Sequence, residues 1–206
     1  MQYDDHHKLT YRPMISKPSR SEVTHDRIVE IAARTLRREG YAGVGVVDVM
    51  KQAGLTHGGF YAHFASREAL LAQAIERAGL ERTELLNRRI DGARERGESA
   101  LRALIDGYLS ETHLRDVEGG CLVAALGSEM PRQSPTLLAC SAARVQGLIS
   151  MVQRALPEGG TTEQAMAIAA AMAGALQLAR ALGSQAQGRA MLDAARGALL
   201  SQYDPQ

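Results

Sequence analysis

The strongest limit on what this chain can fold into is its apolar periodicity. Apolar residues recur at helical spacing, and no alternating strand pattern of useful length occurs. Ile28, Ile31, Ala32, Thr35 and Leu36 repeat at the three-and-four spacing of one buried helix face, with Arg27, Glu30, Arg34, Arg37 and Arg38 elsewhere on the wheel. Gly40 stands where a glycine closes such a helix. A second short helix fits residues 46–53, with Gly45 at its cap, Asp48 in its first turn and Gly54 after it. A third is predicted from Thr56, acting as cap, through Phe64. A fourth opens at Ser66 and continues past Arg89. Beyond Leu70, turn signals at Gly97-Glu98-Ser99, Glu118-Gly119-Gly120, Pro131 to Pro135 and Pro157 to Gly160 each precede a new amphipathic run. The expected fold class is all-α.

Three short helices with the tight turn AGLTH between the second and third form a helix-turn-helix layout. Ile28, Ala32, Leu36, Val46, Val49, Leu55, Phe60 and Phe64 can supply its small core. Charge supports a polyanionic partner for this part of the chain. The formal net charge is only +1, but residues 17–67 hold eight Lys/Arg against five Asp/Glu, whereas after Leu70 the balance is 14 to 15. Five of the six histidines also lie within the first 63 residues. The electrostatic lean toward nucleic acid is therefore confined to the N-terminal third.

The segment GLTHGGFYAHFASREALL, residues 54–71, focuses that lean. Gly58 and Gly59 inside a helix cost about 1 kcal/mol each relative to alanine. What they allow is a close approach of backbone to another surface, such as a groove wall. Tyr61 and His63 point away from the Phe60/Phe64 face and can donate to phosphate oxygens, and Arg67 suits a further phosphate.

This stretch resembles the TetR/AcrR family of transcriptional regulators. RIVEIAARTLRREGY, VVDVMKQAGL, THGGFYAHF and SREALL carry the likeness over about residues 21–71. The resemblance implies a flexible tail over 1–20, a helix-turn-helix DNA-binding domain over 21–70, and an effector-binding and dimerisation domain over 71–206. It implies base reading by Thr56 and His57, with the backbone of Gly58 and Gly59 close to the groove. Phosphate contacts would come from Tyr61, His63, Arg67, Thr24 on the first helix and Lys51 on the second. The usual hydroxyl capping the second helix is Gly45 here, removing one backbone contact, and arginine stands at 67 where lysine is common. With so few side chains aimed at the groove, indirect readout of DNA shape gains weight.

The resemblance further implies a cytoplasmic homodimeric regulator that binds a palindromic operator, a repressor released by a small effector. An activator, or a helical dimer of the same fold acting on a small molecule or partner without DNA, are the alternatives. Between residues 71 and 206 the only aromatics are Tyr108 and Tyr203. An effector pocket would then be lined by Leu, Ile, Met and Ala, with Arg89, Tyr108, His113 and Gln177 orienting a small, mostly apolar or reactive molecule. Cys121, after Gly119-Gly120 at the start of a predicted helix, is either a packing residue or an electrophile-sensing thiol favoured by the helix dipole. The two final helical runs are apolar nearly all round, which points to a subunit seam. Ala165, Ile168, Ala169, Met172, Ala173 and Leu176 of the first run, with Ala190, Met191, Ala194 and Ala198 of the second, are its expected dimer residues.

Enzymatic readings find no support. HGGF has the glycines of some esterase oxyanion holes, but the chain has no G-x-S-x-G and no phosphate-binding G-x-x-x-x-G-K-[ST]. His57 and His63 are six apart, on different faces of a helix, so neither metal nor cofactor is expected. Two cysteines, Cys121 and Cys140, exclude a disulfide framework. The N-terminal residues lack the apolar core of a secretion signal, and no run reaches the roughly 18 apolar residues of a membrane span.

Overall fold

The computed structural model describes residues 19–183 and 185–204, and the tail expected over 1–20 lies almost wholly outside them. The described residues form α1 (Arg20–Gly43), α2 (Val46–Gln52), α3 (Arg67–Glu95), α4 (Ala100–Tyr108), α5 (Glu111–Arg115), α6 (Leu122–Leu126), α7 (Pro135–Ala155), α8 (Thr162–Ala181) and α9 (Gln185–Tyr203). Short 3-10 helices occupy His57–Ala62 and Met130–Arg132, and the described residues contain no strand.

Local chemistry fixes most boundaries. Ser19 and Glu22 form a reciprocal capping box, so α1 starts one residue before Ser21. Gly40 takes φ 77°, breaking α1 where the sequence placed its end. That positive φ demands glycine, and a Cβ there would also lie 2.7 Å from Glu129 Oε1, pushing that carboxylate aside. Gly45 stands at the cap position of α2, and Ser66 caps α3 by accepting from Ala69 N–H. The buried face of α1 is wider than predicted. It includes Val29, Ala33 and Arg37, the last because Glu81 Oε2 at 3.0 Å and the Ala78 carbonyl at 3.3 Å neutralise its guanidinium.

Two apolar clusters result. The first holds Ile28, Ala32, Leu36, Val49, Phe60 and Phe64, with Val46 and Leu55 packed against it. It does not close at residue 70. Leu70, Ala74 and Ala78 from the start of α3 belong to it, as do Leu122, Leu126, Met130 and Leu137. The second cluster joins the rest of α3 to α4, α7, α8 and α9 around Leu86, Leu104, Tyr108, Val152, Met172 and Leu192. Helix α3, 29 residues long, is the beam common to both.

Two expectations change. Helix α7 is long and apolar enough over an 18-residue window, at mean hydropathy 1.2, to meet the length and composition of a membrane span. Arg144 and Arg154 interrupt it, and Leu137, Ser141, Leu148, Met151 and Val152 turn its inner face into the protein. The residues expected at a subunit seam on α8 turn inward instead. Ala165, Ile168, Ala169, Met172 and Leu176 face their own protomer's core and Ala173 is half-buried. The opposite side presents Met166, Leu178 and Leu182 at 49%, 56% and 43% exposure. An alanine-rich helix apolar on both sides carries no signal for which side turns inward. On α9, Ala190, Ala194 and Ala198 are exposed and Met191 is half-buried against the core.

Candidate nucleic-acid interface and buried cavity

The segment after Gly54 winds as a 3-10 helix rather than an α-helix. Gly59 N–H donates to Thr56 O at 3.1 Å and His63 N–H to Phe60 O at 2.9 Å. The Thr56 side chain makes no capping bond, contrary to expectation. Phe60 is the anchor, 1% exposed and stacked on Phe64 with ring centroids 5.5 Å apart. Around that anchor the polar groups turn out: Thr56 and His57 are exposed, and Tyr61 is 70% exposed.

Neither glycine of this turn answers an internal need. A Cβ on Gly58 would meet nothing within 4 Å, and one on Gly59 would meet only ordinary contacts with Met50 and Thr56 at 3.7 and 3.9 Å. Both have room for a side chain in the protomer. Lys51 is exposed on α2. His63 is half-buried, its ring 6.0 Å from that of His25, which stacks on Phe64 at 4.5 Å and bonds Gln73 Oε1 through Nε2 at 2.7 Å. His25 thus positions this edge, a role the periodicity of α1 does not show.

Two expected phosphate ligands have work inside the fold. The Thr24 hydroxyl donates to Arg20 O at 2.8 Å along its own helix. Arg67 donates from Nε to Val44 O at 2.8 Å and from Nη2 to Tyr41 O, clamping the α1–α2 connection onto α3. Tyr41 is held from the other side as well, its N–H donating to Glu129 at 3.1 Å and its hydroxyl paired with Ser141 at 2.7 Å. Arg34 and Arg38 on α1 both pair with Glu118, just before Gly119-Gly120-Cys121.

Those ties lead to a cavity of about 50 Å³ between α3, α4, α6 and α7. Tyr108 and Cys121 line it, with Leu86, Leu122, Val123, Leu148 and Met151 as apolar wall. Two arginines also line it, Arg82 and Arg144. His113 sits behind the wall: its Nε2 accepts from Cys121 N–H at 2.9 Å, so the proton resides on Nδ1, which donates to Tyr108 O at 2.7 Å. Burial, aided by the Arg82 charge, drops the His113 pKa from 6.5 to about 2, so this ring is neutral. Burial likewise pushes the Tyr108 hydroxyl well above its ordinary range.

The other two expected pocket residues are elsewhere. Arg89 is exposed because Leu86 and Ile90 take the inward face of α3, and its stem rests over Gly107. Gln177 is exposed because Leu176 and Ala179 take the inward face of α8. The sequence reading missed Arg82 and Arg144. Their signal was present: each falls on its helix's apolar stripe, Ala78-Arg82-Leu86 and Ser141-Arg144-Leu148. Cys121 is 7% exposed and Cys140 half-buried.

An all-helical protein with an exposed helix-turn-helix head on one cluster and a lined cavity beside the other is a DNA-binding transcription regulator. Residues 28–74 match the family of bacterial regulatory proteins described as tetR. Over 166 residues the chain is 30% identical to an uncharacterized HTH-type transcriptional regulator of Mycobacterium tuberculosis, Rv0196, covering 75% of this chain and 83% of that one. This chain belongs to the tetR family. It is 24% identical over 140 residues to the HTH-type transcriptional repressor NemR of Escherichia coli, covering 66% of this chain and 68% of NemR. The reduced form of E. coli NemR shares the fold at TM-score 0.72 and 20% identity, over 87% of this chain and 97% of that one. FadR of Bacillus subtilis, solved with stearoyl-CoA, does so at TM-score 0.64 and 14% identity, over 88% and 99%.

Proposed function

We propose that this regulator is a homodimeric repressor. Each protomer lays residues 56–63 in the major groove at one half of a palindromic operator, and a small molecule in the α3–α4–α6–α7 cavity weakens that hold. The observation that carries the reading is the exposed 3-10 turn, whose two glycines have space around them and no internal reason to be glycine. Thr56 and His57 read base edges while Gly58 and Gly59 bring the backbone to the groove. Tyr61, His63, Lys51 and Thr24 hold phosphates, and Arg67 adds to them only through the part of its guanidinium not bound to Tyr41 and Val44. That NemR is named a repressor and that FadR was solved with stearoyl-CoA support the two halves of the reading.

The reading unit runs from α1 into the start of α3, and the effector and dimer unit from there onward, with α3 shared. The dimer forms through the outer faces of α8, which exposes Met166, Leu178 and Leu182, and of α9, which exposes Ala190, Ala194 and Ala198. An effector acts by binding the DNA-competent and incompetent arrangements unequally. Its route outward is short, because Leu122 lines the cavity and also belongs to the reading unit's core.

Fluorescence anisotropy of the full chain on the DNA upstream of its own gene tests this. His57→Ala should relax base preference, and Leu178→Glu should yield monomers by sedimentation that bind the palindrome about 100-fold or more weakly. Wild-type protein that remains a monomer at micromolar concentration, or a dimer with no preference for any upstream sequence, would overturn the reading.

A further inference from the structure

The cavity is cationic. Its thirteen lining residues include Arg82 and Arg144 and no carboxylate. Neither arginine has an ion-pair partner among the described residues, although ten other arginines do at 3.6 Å or closer, among them Arg37, Arg77 and Arg102. Arg82 is 9% exposed. Its Nη2 donates to Gly107 O at 3.2 Å and lies against His113, which is no anion, while its Nε is buried without a partner. Arg144 likewise keeps a buried, unpartnered Nε, and its side chain lies in a slot that glycine opens, since a Cβ on Gly79 would sit 2.6 Å from Arg144 Nη1. The Tyr108 hydroxyl, fully buried on the cavity wall, has no partner among the described residues either.

An arginine cannot shed its charge, so burying one without an anion is unfavourable, and a buried hydroxyl without a partner adds to that. Three unmet donors on one wall specify what would satisfy them. A carboxylate has two planar oxygens that match a guanidinium fork and can accept a phenol. The remaining wall, Leu86, Leu148 and Met151, is apolar and suits a short hydrocarbon chain. A cavity of about 50 Å³ holds the head and first carbons of such a chain, and the wall must widen to take the rest.

We propose that the effector of this regulator is a compact amphiphilic carboxylate, its head met by Arg82, Arg144 and Tyr108 and its short chain by the apolar wall. This rests on the reading of the cavity as the effector site, and it narrows the ligand from mostly apolar to anionic at one end.

The test uses the full-length protein without DNA, titrated with butanoate, hexanoate and octanoate, the matching primary alcohols, and inorganic phosphate, each followed by thermal unfolding and calorimetry. A carboxylate of this series should bind saturably by calorimetry and raise Tm by roughly 5–10 °C at a hundredfold excess over Kd. The alcohol of equal length and phosphate should do so at least tenfold more weakly. Arg144→Gln, at a half-buried position, and Tyr108→Phe should each reduce the carboxylate affinity about tenfold or more. Gly147→Met, which fills open space at the cavity wall, should block it. If Arg144 is only structural, Arg144→Gln lowers the ligand-free Tm and leaves the carboxylate shift intact, which overturns the proposal. Equal binding of acid and alcohol, or no saturable binding by any chain length, overturns it too. Repeating the titration on operator-bound protein separates the two readings: carboxylate binding with unchanged operator affinity upholds the ligand class and breaks the effector role.

Discussion

The exposed 3-10 turn and the cavity wall both accept a local penalty, but of opposite kinds. At residues 57–62 the penalty is conformational: two glycines in a helical turn where an added Cβ would meet no close neighbour. At the cavity it is electrostatic: charged and polar groups held away from water with donors unmet. The first penalty lies in the backbone of adjacent residues. The second exists only because Arg82 and Arg144, 62 positions apart, are packed together by α3 and α7. A protein that keeps both gives up stability at the two places where we propose that it meets other molecules.

Four measurements can sharpen or break that contrast. The largest effect is expected beneath the turn, where Phe60→Ala should destabilise the reading unit by about 3–5 kcal/mol in chemical denaturation. A loss below about 1 kcal/mol would mean the turn is not anchored as described. Next comes the pH dependence of the cavity. His113 binds its proton far less readily folded than unfolded, so its contribution is present above about pH 6.5 and is lost as pH falls from there toward about 2. Between pH 6.5 and 5 that amounts to about 2 kcal/mol. His113→Gln should flatten that part of the stability profile, and an unaltered slope would show that the wall is not closed around a neutral ring. On the surface, Gly58→Ala should leave Tm unchanged or slightly raised while operator affinity falls about tenfold or more. Alanine without effect on DNA would sever the glycine from close approach. The smallest effect belongs to Lys51→Ala, expected to weaken all DNA sequences a few-fold and to lower the salt slope by about 0.9. A changed base preference instead would move Lys51 from backbone to base contact.

Legibility followed the range of the signal. Gly40 was readable as a helix end because a positive φ is a demand on one residue, and Ser66 as a helix start because the bond it accepts is three residues away. The helix-turn-helix core was readable because Phe60 and Phe64 lie on one short face. Arg67 was read by residue type and position as a phosphate ligand, yet two of its donors hold the Tyr41 and Val44 carbonyls 26 and 23 residues earlier. Arg37 was placed outside the core for the same reason: its neutralising partner, Glu81, lies on another helix.

Sequence alone showed that the chain is helical, where the helices of the N-terminal third begin and end, and which turn carries paired glycines, because these depend on residues within one or two turns of each other. Only the tertiary structure decided which face of α8 meets its own core, since alanine on both sides makes the two orientations alike until neighbouring helices choose. It alone decided that two arginines on separate apolar stripes share one cavity, because charge compensation is a property of the groups around a side chain in space.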